Sequence, residues 1–98
     1  MKEETIMLLK KNSNTVTSIA NEEETIVLHI SEGEYYGLEG AHKEIWDNFN
    51  QNLFEKKSIV EEFLSKFDNS KEEIQKLVDE SVMDLINYKL IMVVDKYE

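Results

Sequence analysis

The apolar residues of this chain change their spacing about halfway along it. Between Thr15 and Leu38 many of them alternate with polar residues, which is typical of half-buried β-strands. From Ala41 onward they recur every three or four residues, as they do along one face of a helix. A chain of 98 residues has room for one domain. The change of period therefore predicts an α+β fold in which a small sheet precedes a set of helices.

Three segments of the first half are rich in β-branched or alternating apolar residues and are predicted to be strands: 15–19, 25–30 and 34–38. A tight turn ending at Gly33 is expected before the third strand, because glycine accepts the positive φ that such turns require. Together the strands form an antiparallel meander. Residues 1–14 have no clear period and are expected to be a lead-in segment or an added strand, so the domain is placed at 15–98.

The second strand alternates regularly along its length. One face carries Ile26, Leu28 and Ile30, and the other carries Thr25, Val27 and His29. Since successive side chains of a strand point to opposite sides of the sheet, one of these faces can be buried.

Three helices are predicted in the second half. The first is short and ends in the amide-rich residues 48–52. Ser58 with Glu61, and Ser70 with Glu73, have capping-box spacing and are expected to begin the second and third helices. The third helix is the longest, over about residues 71–89, and the absence of proline lets it run unbroken.

A short β-prone run at residues 90–94 predicts a final strand or wing. Three strands, three helices with the longest last and a short strand make the layout of a winged helix-turn-helix domain. Both DNA-binding and protein-binding domains use this layout, so it does not give the function by itself.

Charge excludes several classes of partner. Lys and Arg number 11 against 21 Asp and Glu, which gives a net charge of −10. Such a surface repels phosphate backbones and anionic membranes, so we expect neither nucleic acid nor membrane as a partner. The third helix is acidic too, whereas a DNA-recognition helix supplies Arg or Lys. No apolar run is long enough to cross a bilayer and no signal peptide is recognisable, so we expect a cytoplasmic protein.

No catalytic or metal site is expected. The chain has no cysteine, which excludes disulfides and thiolate ligands. His29 and His42 are not spaced as ligands of any metal site we can justify, and three glycines do not make a phosphate-binding loop. The many carboxylates fall on loops and polar helix faces, where solvation explains them. We therefore expect a binding protein without a cofactor or metal, and not an enzyme.

Residues 33–38, Gly-Glu-Tyr-Tyr-Gly-Leu, are followed seven residues later by Ile45 and Trp46. This stretch resembles the pattern of the PqqD-like family, whose members tend to read small-x-Tyr-Tyr/Phe-x-Leu-Asn and then Ile-Trp. The later helical segments are similar to the second and third helices of that family, so the resemblance covers about residues 15–94. Two departures are Glu39, where the family usually has Asn, and His42, where a small residue is common.

The resemblance implies a recognition protein for ribosomally made, post-translationally modified peptides. Such domains bind the leader segment of a precursor peptide, which adds as a strand to the third strand of the meander in the cleft beside the third helix. They present it to a maturation enzyme such as a leader peptidase or a radical enzyme. Stand-alone forms are typical of lasso-peptide biosynthesis, which is the first expectation, with the pyrroloquinoline quinone and radical-modified peptide pathways as alternatives.

The residues support a binding edge in one independent respect. The third strand ends the meander, so one row of its N–H and C=O groups is left without a partner, and no Pro or Lys blocks it. The candidate peptide-binding residues are Glu34, Tyr35, Tyr36, Gly37 and Leu38 on the strand and Ile74, Leu77, Val78, Ser81 and Leu85 on the third helix.

Two further expectations concern the ligand of this edge. The acidic composition predicts a leader whose basic residues flank apolar anchors and face Glu34, Glu73 or Glu80. In the alternative reading, the free edge pairs with its own copy and the protein is a homodimerising interaction module.

Overall fold

The computed structural model describes residues 7–49 and 53–94. In chain order the elements are β1 (Leu8–Lys11), β2 (Thr15–Ala20), β3 (Thr25–His29), β4 (Glu34–Leu38), α1 (Gly40–Asn48), β5 (Phe54–Glu55), α2 (Lys56–Lys66), α3 (Lys71–Asn87) and β6 (Ile91–Val94). The predicted α+β order of a meander, three helices and a short final strand is confirmed.

The predicted meander is an antiparallel sheet in the order β2-β3-β4. Gly33 closes the turn between β3 and β4 with a φ of 68°. Its N–H donates to the carbonyl of His29 at 2.8 Å. The positive φ expected of this glycine is therefore present, and it brings β4 back alongside β3.

Of the two faces of β3, the structure buries the one that carries Thr25, Val27 and His29. The buried polar groups on this face have partners: the Thr25 hydroxyl donates to the carboxylate of Asp47 in α1 at 3.0 Å. Trp46, also in α1, is 3% exposed and donates from Nε1 to a β2 hydroxyl at 2.9 Å. Because α1 supplies these partners, the more polar face of β3 can be buried. We call it the inner face.

The opposite face of the meander is open in the described residues. Cross-strand pairing places Val16 and Tyr35 beside Leu28, and Ile19 beside Ile26. Val16, Ile19 and Tyr35 are 47%, 50% and 63% exposed. We call this side of the sheet, with Gly37 on the same side, the outer face.

A second sheet, in the order β5-β1-β6, was not predicted as a unit. Its central strand β1 comes from the segment for which either a lead-in or an added strand was expected, and Leu9 in it is fully buried. The final strand β6 returns to pair with β1. The rest of the lead-in, residues 1–6, and residues 95–98 lie outside the described residues.

The third helix begins as predicted. The Ser70 side chain accepts the N–H of Glu73, and the Glu73 carboxylate accepts the N–H of Ser70, both at 3.2 Å. The helix ends at Asn87, two residues earlier than predicted. Lys89 adopts a φ of 66°, and the N–H of Leu90 returns to the carbonyl of Leu85 at 3.0 Å. This is the Schellman arrangement that ends many helices.

The capping box predicted at Ser58 is wrong. α2 begins at Lys56, and its N-cap residue Glu55 makes no side-chain cap bond. Glu55 belongs to β5 and pairs with Leu8 of β1, and the N–H of Lys56 donates to the carbonyl of Met7 at 3.2 Å. Strand pairing with a distant segment therefore sets the start of this helix, and Ser58 lies inside it.

Candidate functional site

The edge of β4 carries the strand residues of the predicted site. Within residues 7–49 and 53–94, β4 pairs with β3 alone. Its other side is therefore a row of main-chain groups that no described strand covers.

The hydrogen bonds and registers of the meander fix which groups of β4 face that edge. The N–H of Ile30 donates to the carbonyl of Asn14 at 2.8 Å, and these residues are opposite each other in the β2–β3 register. Residues along an antiparallel strand bond alternately to one neighbour and the other. Even-numbered residues of β3 therefore bond to β2, whereas Thr25, Val27 and His29 bond to β4.

The partners of those three residues on β4 are Leu38, Tyr36 and Glu34. These three use their main-chain groups in the β3–β4 ladder. Tyr35 and Gly37 lie between them, so their N–H and C=O groups point away from β3 and into the open edge. The edge thus offers two donors and two acceptors at alternate residues.

Side chains divide the edge into an inner and an outer side. On the inner side, Tyr36 is half-buried and its ring stacks on Tyr88, just after α3, with centroids 4.8 Å apart. On the outer side, Tyr35 is exposed and Gly37 has no side chain. A strand added at this edge would therefore meet an aromatic surface on one side and an open surface on the other.

The face of α3 that is turned toward β4 and α1 is identified by two contacts. One is the stack of Tyr88 on Tyr36. The other joins Asp84 to Nε2 of His42 in α1 at 2.9 Å. Helical spacing places Ser81 and Leu77 on the same row, toward the N-terminus. We call Leu77, Ser81, Asp84 and Tyr88 the α3 row.

The structure separates the predicted helix residues into two groups. Ile74, Val78 and Leu85 are at most 1% exposed, and Ser81 is 2% exposed, so they lie in the core behind the surface. Leu77 is 40% exposed and is the predicted helix residue that reaches solvent. The buried residues fix the position of α3, and Leu77 presents an apolar side chain on its row.

The strand residues divide in a similar way. Leu38 is 1% exposed and belongs to the core. Glu34 and Gly37 are exposed and Tyr36 is half-buried. Together with Tyr35, these three form the accessible part of the edge.

Two residues of the site were missed by the sequence analysis, Tyr88 and Asp84. Both continue the helical row of Leu77 and Ser81 at spacings of three or four, so extending that row would have included them. Which row of α3 faces β4 follows only from its packing.

Three further observations concern the described ranges 7–49 and 53–94. No group of three or more His, Cys, Asp or Glu side chains there could hold a metal ion. No helix there is long and apolar enough to span a membrane. A surface hollow on α3 is lined by exposed residues such as Gln75 and Asp79, and helical spacing places these on the side opposite the α3 row.

Comparisons with known proteins concern the family and the fold. The sequence profile of the family described as coenzyme PQQ synthesis protein D (PqqD) matches residues 24–91, a segment that includes β4, α1 and α3. No curated protein matches the chain. Among solved structures, the fold is similar to that of TbiB1 in complex with the TbiA(beta) leader peptide. The TM-score is 0.71 and the identity 17%, over 91% of this chain and 99% of that chain. At this identity the similarity shows a shared fold.

Proposed function

The chain belongs to the PqqD family, and on that premise we propose that it binds the leader segment of a ribosomally synthesised precursor peptide by strand addition to β4. The similar fold of TbiB1, whose structure contains a leader peptide, supports this assignment. In this proposal the chain delivers the bound precursor to a maturation enzyme and performs no chemical step itself.

The observation that carries the proposal is the orientation of the β4 backbone. Tyr35 and Gly37 direct their N–H and C=O groups into an edge that no described strand covers. An extended peptide beside β4 would satisfy these groups with a regular ladder. Because these bonds do not depend on side chains, they give affinity for any extended peptide, and selectivity must come from the surfaces beside the edge.

The inner surface is suited to apolar anchors. The stacked rings of Tyr36 and Tyr88 lie on the side of the edge that faces α3, and Leu77 presents an exposed apolar side chain on the same row of that helix. Alternate side chains of an added strand point to this side. We therefore propose that the leader places apolar residues, two positions apart, against this surface.

The pathway and the cellular setting belong to the same proposal. Lasso-peptide biosynthesis in the cytoplasm is the first assignment, with pyrroloquinoline quinone or another radical-modified peptide as the alternative. A protein that holds the precursor beside the maturation enzyme raises the effective concentration of substrate at the active site. Its contribution to the rate can therefore exceed what its affinity alone suggests.

The experiment is a titration of fluorescently labelled leader peptides, synthesised from candidate precursor sequences, with fluorescence anisotropy as the readout. Saturable binding at micromolar or lower concentration is expected. A second series replaces each leader amide in turn by its N-methyl form, which cannot donate. Losses at alternate residues support strand addition, because only every second amide of an added strand faces β4.

Light scattering separates this function from the alternative of self-pairing. If the chain does not bind the leader and dimerises as its concentration increases, leader recognition is contradicted. That result would favour pairing of the β4 edge with its own copy.

A further inference from the structure

Gly37 leaves a space on the outer face of β4, and a carboxylate lies beside that space. A Cβ atom built on Gly37 would lie 3.1 Å from Oε2 of Glu24. Glu24 immediately precedes β3 and is half-buried. Its carboxylate thus lies on the outer face where a side chain at position 37 would begin, next to the open edge.

This carboxylate has no cation of its own among the described residues. The ion pairs formed within 7–49 and 53–94 use other carboxylates, and no hydrogen bond to the Glu24 side chain is found there. Its main chain closes the β2–β3 turn, with the Glu24 carbonyl accepting the N–H of Asn21 at 3.0 Å. The backbone of Glu24 is thus held in place while its charged group is available to a ligand.

A strand added beside β4 would bring one residue directly opposite Gly37. Neighbouring strands lie about 4.8 Å apart, and side chains that face each other across strands share one side of the sheet. Because Gly37 has no side chain, the outward side chain of that leader residue would face the Glu24 carboxylate. An acidic residue there would be repelled, and an apolar one would leave the carboxylate covered and unpaired.

We propose that Glu24, acting across Gly37, selects a lysine or arginine at the leader position that pairs with Gly37. The inference rests on the proposed leader binding and adds its charge requirement. The leader would then carry a cation on its outward side and apolar residues on the inward positions next to it.

Glu24 suits this role better than the acidic residues that the sequence suggested. Glu73 is engaged in the capping box of α3. Glu34 is at the first position of β4, opposite His29, and belongs to the inner face. Glu80 adjoins the α3 row but also lines the hollow beside Asp79, and no contact within the described residues joins it to β4. Of these four residues, Glu24 is the one whose carboxylate is located against Gly37 on the outer face.

The test compares Glu24→Gln with Glu23→Gln. Both substitutions remove one negative charge from adjacent residues, and glutamine keeps the size of glutamate. Binding of the labelled leader is measured by anisotropy at low and high salt. We expect Glu24→Gln to weaken binding about two- to fivefold at low salt and less at high salt, as for a partly exposed charged pair. Glu23→Gln should have a much smaller effect.

The leader side of the pair is tested in a double-mutant cycle. Each Lys or Arg of the leader is replaced in turn by norleucine. One of these replacements should weaken binding to the wild type but cause no further loss of affinity for the Glu24→Gln variant. Charge exchange, with Glu24→Lys in the protein and Glu at that leader position, should restore part of the affinity. Restoration cannot arise from damage to the fold.

Three results would overturn the inference. The first is an equal loss of affinity in Glu23→Gln and Glu24→Gln, which would indicate a general effect of charge. The second is an absence of coupling between Glu24 and every Lys or Arg of the leader. The third is a failure of the charge exchange to restore any affinity. Each of these can occur while the wild-type chain still binds its leader, so the proposed function would stand. Failure of the wild-type chain to bind the leader would refute both.

Discussion

Replacing Gly37 by proline tests strand addition with little disturbance of the sheet. The Gly37 N–H points away from β3, so the proline removes no bond of the β3–β4 ladder. Gly37 does not have a positive φ, and proline is tolerated on edge strands when its nitrogen faces outward. The added Cβ meets the end of a flexible side chain, that of Glu24. We expect the free energy of unfolding to change by no more than about 1 kcal/mol.

The effect on binding should be much larger than the effect on stability. Without the Gly37 N–H, a carbonyl of the leader is left without a donor at an edge that the leader itself covers. An unsatisfied group of this kind costs about 1–3 kcal/mol. Since 1.4 kcal/mol corresponds to a factor of ten, Kd should rise about 5- to 150-fold.

The assay combines anisotropy titrations with thermal unfolding followed by circular dichroism. A change of 1 kcal/mol shifts the Tm of a domain of this size by about 4–8 °C, so an intact fold is recognised by a shift within that range. Gly37→Ala keeps the N–H and adds a Cβ, so the difference between the alanine and proline variants measures the lost donor. Tyr36→Pro removes a ladder bond to β3 and should unfold at a clearly lower temperature.

Two outcomes would contradict this account of the β4 edge. If Gly37→Pro melts within the expected range and binds the leader as tightly as the wild type, the leader does not use the edge of β4. Equal melting temperatures of Gly37→Pro and Tyr36→Pro would contradict the assignment of edge-facing and ladder-facing residues.

Two further predictions concern α3 and the pair that joins α1 to α2. Leu77→Asp should weaken leader binding with little loss of stability, because Leu77 is 40% exposed on the α3 row. Met83→Asp is the control, since Met83 is 57% exposed on the other side of α3. Equal affinities of the two variants for the leader would contradict a role of the α3 row in binding. The hydrogen bond from Lys66 at 2.7 Å lowers the pKa of Glu44 below 4.5, so the stabilisation it gives is present above that pH and is lost as the pH falls through the lowered pKa. In urea unfolding, the wild type should have a slightly higher free energy of unfolding than Glu44→Gln at neutral pH, and the difference should disappear in acid. A difference that persists in acid would contradict this prediction.

Local chemistry made several features of the fold predictable. The positive φ of Gly33 and the reciprocal bonds of Ser70 with Glu73 depend on residues only a few positions apart. The alternation along β3 and the helical stripe of α3 are likewise local, so strand order in the meander and the start of α3 could be read from the sequence. The exposed edge of β4 followed from the same argument, because a strand at the end of a meander has one neighbour.

The site was predictable only in part for a related reason. The sequence identified the strand that carries it but did not identify which side of α3 is turned toward that strand. Burial of Ile74, Val78 and Leu85 and exposure of Leu77 depend on how the helices pack. The proximity of Glu24 to Gly37 depends on pairing between β3 and β4, and nothing in the residue types indicated it.

Local sequence patterns were thus enough to predict the three meander strands, the three helices and the final strand, and also the tight turn before β4, the cap of α3 and the free edge. Each of these depends on interactions between near neighbours. Tertiary structure alone decided the buried face of β3, the start of α2 and the β5-β1-β6 sheet. Asp47 of α1 bonds to Thr25 of β3 and Trp46 of α1 bonds to Thr17 of β2, so α1 packs on this polar face of the meander. Pairing of β1 with β5 and β6 joins segments more than 40 residues apart, and contacts over such distances leave no periodic pattern in either segment.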